Sequence, residues 1–183
     1  MIIPRKSLNL LKTIIPSDDK NNINIEFNAS NAFFSNDNIK LVCRLIDERY
    51  PDYENVIPSD NSNSIEVDKS EILSSLKRIS IYANKTTNQV RLKVSGSEIL
   101  ISAEDLDFSN EANERISCEH DGDDIEIGFN AKFLIEILSN IHSDKVIFKL
   151  SEPNRAGLVL PEDIDDEEDL TMLVMPVMLN DNV

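Results

Sequence analysis

An antiparallel α+β fold built from repeated units is what this sequence predicts, and three observations carry the prediction. A strand, a helix and about three more short alternating strands follow one another three times along the chain. Lys6, Lys69 and Lys132, each near the start of a helical segment, stand 63 residues apart. The 183 residues, 40% apolar and 28% charged, are enough to bury a real core in one or two domains. Helix one has its apolar positions displaced by about a residue relative to the other two, so the expected repeat is structural rather than a repeat of identities.

Residues 4–15 (PRKSLNLLKTII) place Leu8, Leu11 and Ile15 at helical spacing, and Pro4 suits a first turn. After the polar break SDDKNN come three short alternating runs, 23–27, 31–35 and 39–46, separated by Asn- and Asp-rich turns, which read as an antiparallel meander. Pro51, Pro58 and the run SDNSNS give residues 50–64 the composition of a linker. The expected domains are therefore 1–57 and 58–183. The second opens with Ile65-Glu66-Val67. Asp68 then stands as an N-cap with Glu71 three residues on, ahead of Ile72, Leu76 and Ile79 on the inward face of helix two. Strands are expected at 90–94, 99–103, 113–119 and 125–129. Asn130 caps a third helix with Phe133, Ile137 and Leu138 inward. Strands follow at 146–150, 158–160 and 171–178, with the acidic segment EDIDDEED (162–169) before the last. Ile2-Ile3 fall where the end of a strand precedes the helix in the other copies, so the chain is expected to open inside a domain.

Composition excludes several classes of function. Eighteen Lys+Arg against 34 Asp+Glu give a net charge of -16, which argues against a general polyanion binder. The four glycines, Gly96, Gly122, Gly128 and Gly157, are too scattered for a P-loop or a dinucleotide fingerprint. Cys43 and Cys118 show no CxxC spacing, which suits a reducing cytoplasm, and no apolar run approaches the ~18 residues of a membrane span. His120 and His142 lack partners at ligand spacing. The turn DGDD (121–124) lacks the alternating ligands of a calcium loop, and a run such as 162–169 ordinarily forms a solvated loop. No catalytic residue, metal ligand or cofactor site can be nominated. A hydrolase built on Asp165 and Asp166 is the remote enzymatic alternative.

Four segments carry a family resemblance. RLIDERYPDYENVIP (44–58) resembles the interdomain segment of the bacterial replication sliding clamp, the DNA polymerase III beta subunit family. EIGFNAKF (126–133) resembles the entry to the family's last helix, LVMPVML (173–179) its C-terminal strand, and IPRK (3–6) the corresponding earlier stretch. The resemblance spans essentially the whole chain in the right order. It implies a DNA-clamp fold in which three domains, each of two such units, form a ring with helices lining the hole and sheets outside. The match starts midway through the second domain. Residues 1–57 would then be the second half of the middle domain and 58–183 the C-terminal domain, about half a subunit.

The function implied is that of a non-enzymatic, cytoplasmic replication processivity factor. A homodimeric ring encircles duplex DNA without reading sequence and needs no membrane. It tethers the polymerase alpha subunit, the clamp loader delta subunit and other clamp-motif proteins. A ring that slides needs only a mildly positive lining, and residues 1–16 and 69–85 each sum to +3 while the rest of the chain sums to -22. Arg5, Lys6, Lys12, Lys77 and Arg78 are the DNA-facing candidates, although lysines on a helix face are ordinarily just solvated. For the peptide pocket the resemblance carries over Arg49, Pro51 and Val56 from the interdomain segment and Asn154 and Ala156 from the loop after Leu150. From the last strand it carries Leu173, Met175, Pro176 and Val177, with Met178 and Leu179 beside them. Met and Pro walls suit apolar anchors of varied shape. The family commonly has a smaller apolar, Pro or Ser residue where Asn154 and Ala156 stand and a basic one at Met178. The pocket's remaining wall belongs to the first half of the middle domain. Ile81 and Tyr82 match the subunit interface. The rival reading is an acidic α+β peptide-binding scaffold that does not encircle DNA.

Overall fold

The computed structural model describes residues 1–15, 22–163 and 170–179, so residues 164–169 of the acidic segment, Asp165 and Asp166 among them, lie outside the described residues. Contacts divide the chain into two units, Met1–Asp52 and Tyr53–Val183.

The first unit is one repeat. Helix α1 (Arg5–Ile14) begins after Pro4, which is the N-cap rather than a first-turn residue and offers no side-chain cap. Strands β1 (Asn24–Phe27), β2 (Asn31–Ser35) and β3 (Lys40–Arg44) form an antiparallel sheet in that order. Its turns are fixed by Asn28, whose Oδ1 accepts from Ser30 N and Asn31 N, and by Asn36, which does the same for Asn38 and Ile39. Ala32, Phe34 and Cys43 form a small buried cluster with Leu11, Leu41 and Leu45 against it. Leu8, one of the apolar positions at helical spacing, is 44% exposed, and α1 has no buried residue.

The second unit holds two repeats that exchange strands. One comprises β4 (Asn63–Asp68), α2 (Lys69–Ile79), β5 (Gln89–Ser95), β6 (Glu98–Asp105) and β7 (Asn110–Ser117), continued by the short β8 (Glu119–Asp121). The other comprises β9 (Ile125–Asn130), α3 (Ala131–Asn140), β10 (Lys145–Leu150), β11 (Gly157–Pro161) and β12 (Met172–Val174). The two sheets run β7-β6-β5-β9 and β12-β11-β10-β4-β8, so each repeat lends its first strand to the other's sheet. Helices α2 and α3 pack on one another. One core results, with Ile72, Leu76, Ile127, Phe129, Leu134, Leu138 and Val146 fully buried between the layers.

The 63-residue period recurs in the backbone. Ile2, Ile65 and Gly128 bridge Ile46, His120 and Val177 respectively, each the first strand of a repeat meeting the segment that follows its own fourth strand.

Three further expectations need correction. Phe133, expected inward, is 57% exposed, because the buried stripe of α3 is Ala131, Leu134 and Leu138. The single strand expected at 113–119 is two: at Cys118, whose N–H reaches Ser97 O at 2.9 Å, the chain leaves one sheet and enters the other. The strand expected at 171–178 stops at Val174, since Pro176 has no N–H to extend a ladder, and resumes only as the bridge at Val177.

Candidate functional site

The C-terminal segment forms the edge of a sheet. β12 pairs with β11 through Gly157↔Val174, Leu158↔Leu173 and Val159↔Met172. Alternation sends Val174 into the core, 3% exposed, and turns Leu173 and Met175 to the opposite face, where Leu158 is directly opposite Leu173. Ala156 and Met175 follow immediately outside the last pair, Gly157↔Val174. Met175 is 59% and Met178 70% exposed, while Leu173, Pro176, Val177 and Leu179 are half-buried. The result is an uncovered apolar ridge. It rests on Gly128: a Cβ there would meet Val177 O at 2.5 Å and Leu179 Cδ2 at 2.7 Å, so only glycine lets the segment lie this close to β9. Val177 N donates to Gly128 O at 2.8 Å to fix the crossing. Phe133, missed by the sequence reading, adds an exposed aromatic on α3, the helix that contacts β12.

Two further segments of the second unit carry candidates. Val56 closes a 3₁₀ turn (Glu54–Val56) and is 59% exposed. Asn154, exposed, and Ala156, half-buried, lie on the β10–β11 loop. Arg49 and Pro51 belong to the first unit and are exposed.

The cationic candidates differ in what their charge is free to do. Arg5, Lys6 and Lys12 are exposed on α1 with no acidic residue in its first turn. Lys77 and Arg78 are exposed in the last turn of α2, but Arg78 Nε and Nη2 donate to Glu114 Oε1 and Oε2 at 2.7 and 2.6 Å. That fork-to-fork pair holds the Glu114 carboxyl below the usual carboxylate range and offsets the Arg78 charge. Beyond α2, Ile81 and Tyr82 are 65% and 43% exposed rather than packed inward. Burial pushes the Cys118 thiol up. Among the described residues no group of three or more His, Cys, Asp or Glu gathers as metal ligands would, and no helix is long and apolar enough to cross a membrane.

Residues 54–178 match the sequence model of the family described as "DNA polymerase III beta subunit, C-terminal domain". The chain belongs to that family. It is 28% identical over 179 residues to the beta sliding clamp of Pseudomonas aeruginosa, covering 98% of this chain and 47% of that protein. The clamp of Vibrio cholerae is 27% identical, with 98% and 48% covered. In solved structures the fold is that of a sliding clamp: the P. aeruginosa clamp bound to griselimycin superposes with a TM-score of 0.87 at 28% identity, covering 97% of this chain and 47% of that one. The chain thus spans about half the length of the clamps it matches.

Proposed function

We propose that this chain is the polymerase- and partner-binding part of a replication processivity clamp, a non-catalytic cytoplasmic protein whose whole form encircles duplex DNA as a homodimeric ring. In this reading residues 1–57 are the second half of the middle clamp domain and 58–183 the C-terminal domain. The observation that carries it is the uncovered ridge of Leu173, Met175 and Met178 at a sheet edge of a clamp-family domain, since an apolar edge in a chain of net charge -16 is suited to capturing apolar anchors of a peptide. Val56, Asn154, Ala156, Pro176, Val177 and Leu179 complete this wall, with Phe133 added. Arg49 and Pro51 are assigned to it on the resemblance. The partners are the polymerase alpha subunit, the clamp loader delta subunit and other clamp-motif proteins, and the griselimycin complex of a relative supports a ligand site in this fold.

Arg5, Lys6 and Lys12 are the stronger DNA-facing residues and Lys77 a weaker one. Arg78, already paired with Glu114, contributes least to a positive lining. Ile81 and Tyr82, exposed at the end of α2, are assigned to the subunit interface.

Fluorescence anisotropy of a labelled polymerase-tail peptide tests the site. Met175→Ala is expected to weaken binding about ten-fold, as loss of a buried thioether side chain would. An unchanged dissociation constant refutes the peptide-site assignment.

A further inference from the structure

Two walls of the proposed site are nearly a hundred residues apart in sequence, and the structure ties them together from outside. Val56 stands four residues before Asp60. Asn154 and Ala156 flank Arg155. Arg155 donates from Nη2 and Nη1 to Asp60 Oδ1 and Oδ2 at 2.7 and 2.9 Å, a bidentate pair. The next residue, Asn61, donates from Nδ2 to Lys149 O at 2.8 Å and to Ala156 O at 3.4 Å, so one side-chain amide reaches both stems of the β10–β11 loop. β4 then pairs with β10 from Asn63↔Leu150 onward. The segment following Val56 and the loop carrying Asn154 and Ala156 therefore share three side-chain hydrogen-bonding groups just before they enter the sheet.

From this juxtaposition we infer that Asp60, Asn61 and Arg155 form a latch that sets the position of the β10–β11 loop against the Val56 turn and so tunes the affinity of the peptide site. All three act as positioning residues. The inference rests on the peptide-site reading. A loop held this way loses less freedom when a ligand docks, and affinity rises through that saving rather than through new contacts. The ion pair is exposed, at 43% and 60% of the two side chains, so its effect is modest and weakened by salt. Asn61 bonds two backbone carbonyls at once, yet its Oδ1 is buried without a hydrogen-bond partner among the described residues. That unmet acceptor opposes the gain from its two donated bonds. Removing Asn61 is accordingly expected to change loop position more than overall stability.

The test uses the full 183-residue chain and the labelled polymerase-tail peptide, titrated to millimolar. Asp60→Ala and Asn61→Ala are each expected to weaken binding about two- to five-fold with the melting midpoint within about 2 °C of the unaltered chain. Exchanging the charges, Asp60→Arg with Arg155→Asp, is expected to restore affinity to within about two-fold, which loss of a purely structural contact would not explain. The amides of Ser151, Glu152, Asn154, Arg155 and Ala156 should exchange faster in the alanine variants while those of β10 stay protected. If Met175→Ala weakens binding but the latch variants bind like the unaltered chain, the latch is overturned and the peptide site stands. If the unaltered chain binds no peptide at all, both readings fall.

Discussion

The two units of this chain are made from the same repeat and bury very different amounts of it. In Tyr53–Val183 each repeat places its first strand in the other's sheet and its helix on the other's helix, and both helices have fully buried side chains. Met1–Asp52 holds one repeat. Helix α1 has no buried residue, every residue of β1 is exposed, and Ile25 and Phe27 are 54% and 67% exposed although they share a sheet face with buried Phe34 and Ala32. Sequence pattern makes a repeat's elements, whereas burial comes from pairing two repeats.

Deleting one aromatic ring in each unit breaks the comparison most sharply. Phe129→Ala removes a ring that is 0% exposed, and about 3–5 kcal/mol of stability should go with it. Phe27→Ala, on the exposed edge strand β1, should cost no more than about 0.5 kcal/mol. Urea unfolding followed by circular dichroism checks both, and equal losses would mean that the face of β1 is as well packed as the core of the second unit.

The next test exploits the three equivalent bridges. At the 63-residue positions stand Ile2, Ile65 and Gly128, so the bridge itself has no need of glycine. Gly128 is required because Val177 and Leu179 cross it closely. Gly128→Ala should destabilise the chain by about 1–3 kcal/mol through overpacking, displace residues 177–179 and reduce peptide binding. Wild-type affinity in that variant would separate the C-terminal segment from the binding site.

Much of this was legible in advance, for reasons that differ between elements. The caps at Asp68 and Asn130, the Asn-rich turns and the 63-residue period are local or periodic signals, and the fold keeps all of them. Where several apolar residues compete for one helix face, pattern alone fails. Helix α3 (AKFLIEILSN) offers six apolar side chains in ten, and only packing against α2 decides that Leu134 goes in and Phe133 out. The switch at Cys118 and the arrest at Val174 depend on which sheet has a free edge, a tertiary property that a strand's own sequence does not carry. The ridge of Leu173 and Met175 was nominated from a family resemblance, since alternation in LVMPVML cannot tell which face meets the core. The ties from Asp60 and Asn61 to the loop at Arg155 join polar residues nearly a hundred positions apart, and no local signal links them.

The smallest effect concerns the helix starts, where the repeats also differ. Asp68 Oδ1 accepts from Glu71 N at 2.8 Å and from Ser70 Oγ at 2.7 Å, and Asn130 Oδ1 accepts from Lys132 N at 3.0 Å, while Pro4 gives α1 no such bond. Asp68→Ala and Asn130→Ala should each cost about 1 kcal/mol at neutral pH, and Pro4→Ser should gain only a few tenths, because α1 has so little packing to transmit. The two capped helices then part company in acid. The hydroxyl of Ser70 and the amide of Glu71 hold the Asp68 carboxyl below its ordinary value, so its capping stabilisation is complete above about pH 4 and is lost as pH falls through the lower folded value. The Asn130 amide does not titrate. The cost of Asp68→Ala should therefore shrink as pH falls below about 4 while that of Asn130→Ala stays level, and Asp68→Asn should keep its cap throughout. Parallel pH profiles for Asp68→Ala and Asn130→Ala would show that charge has no part in starting α2.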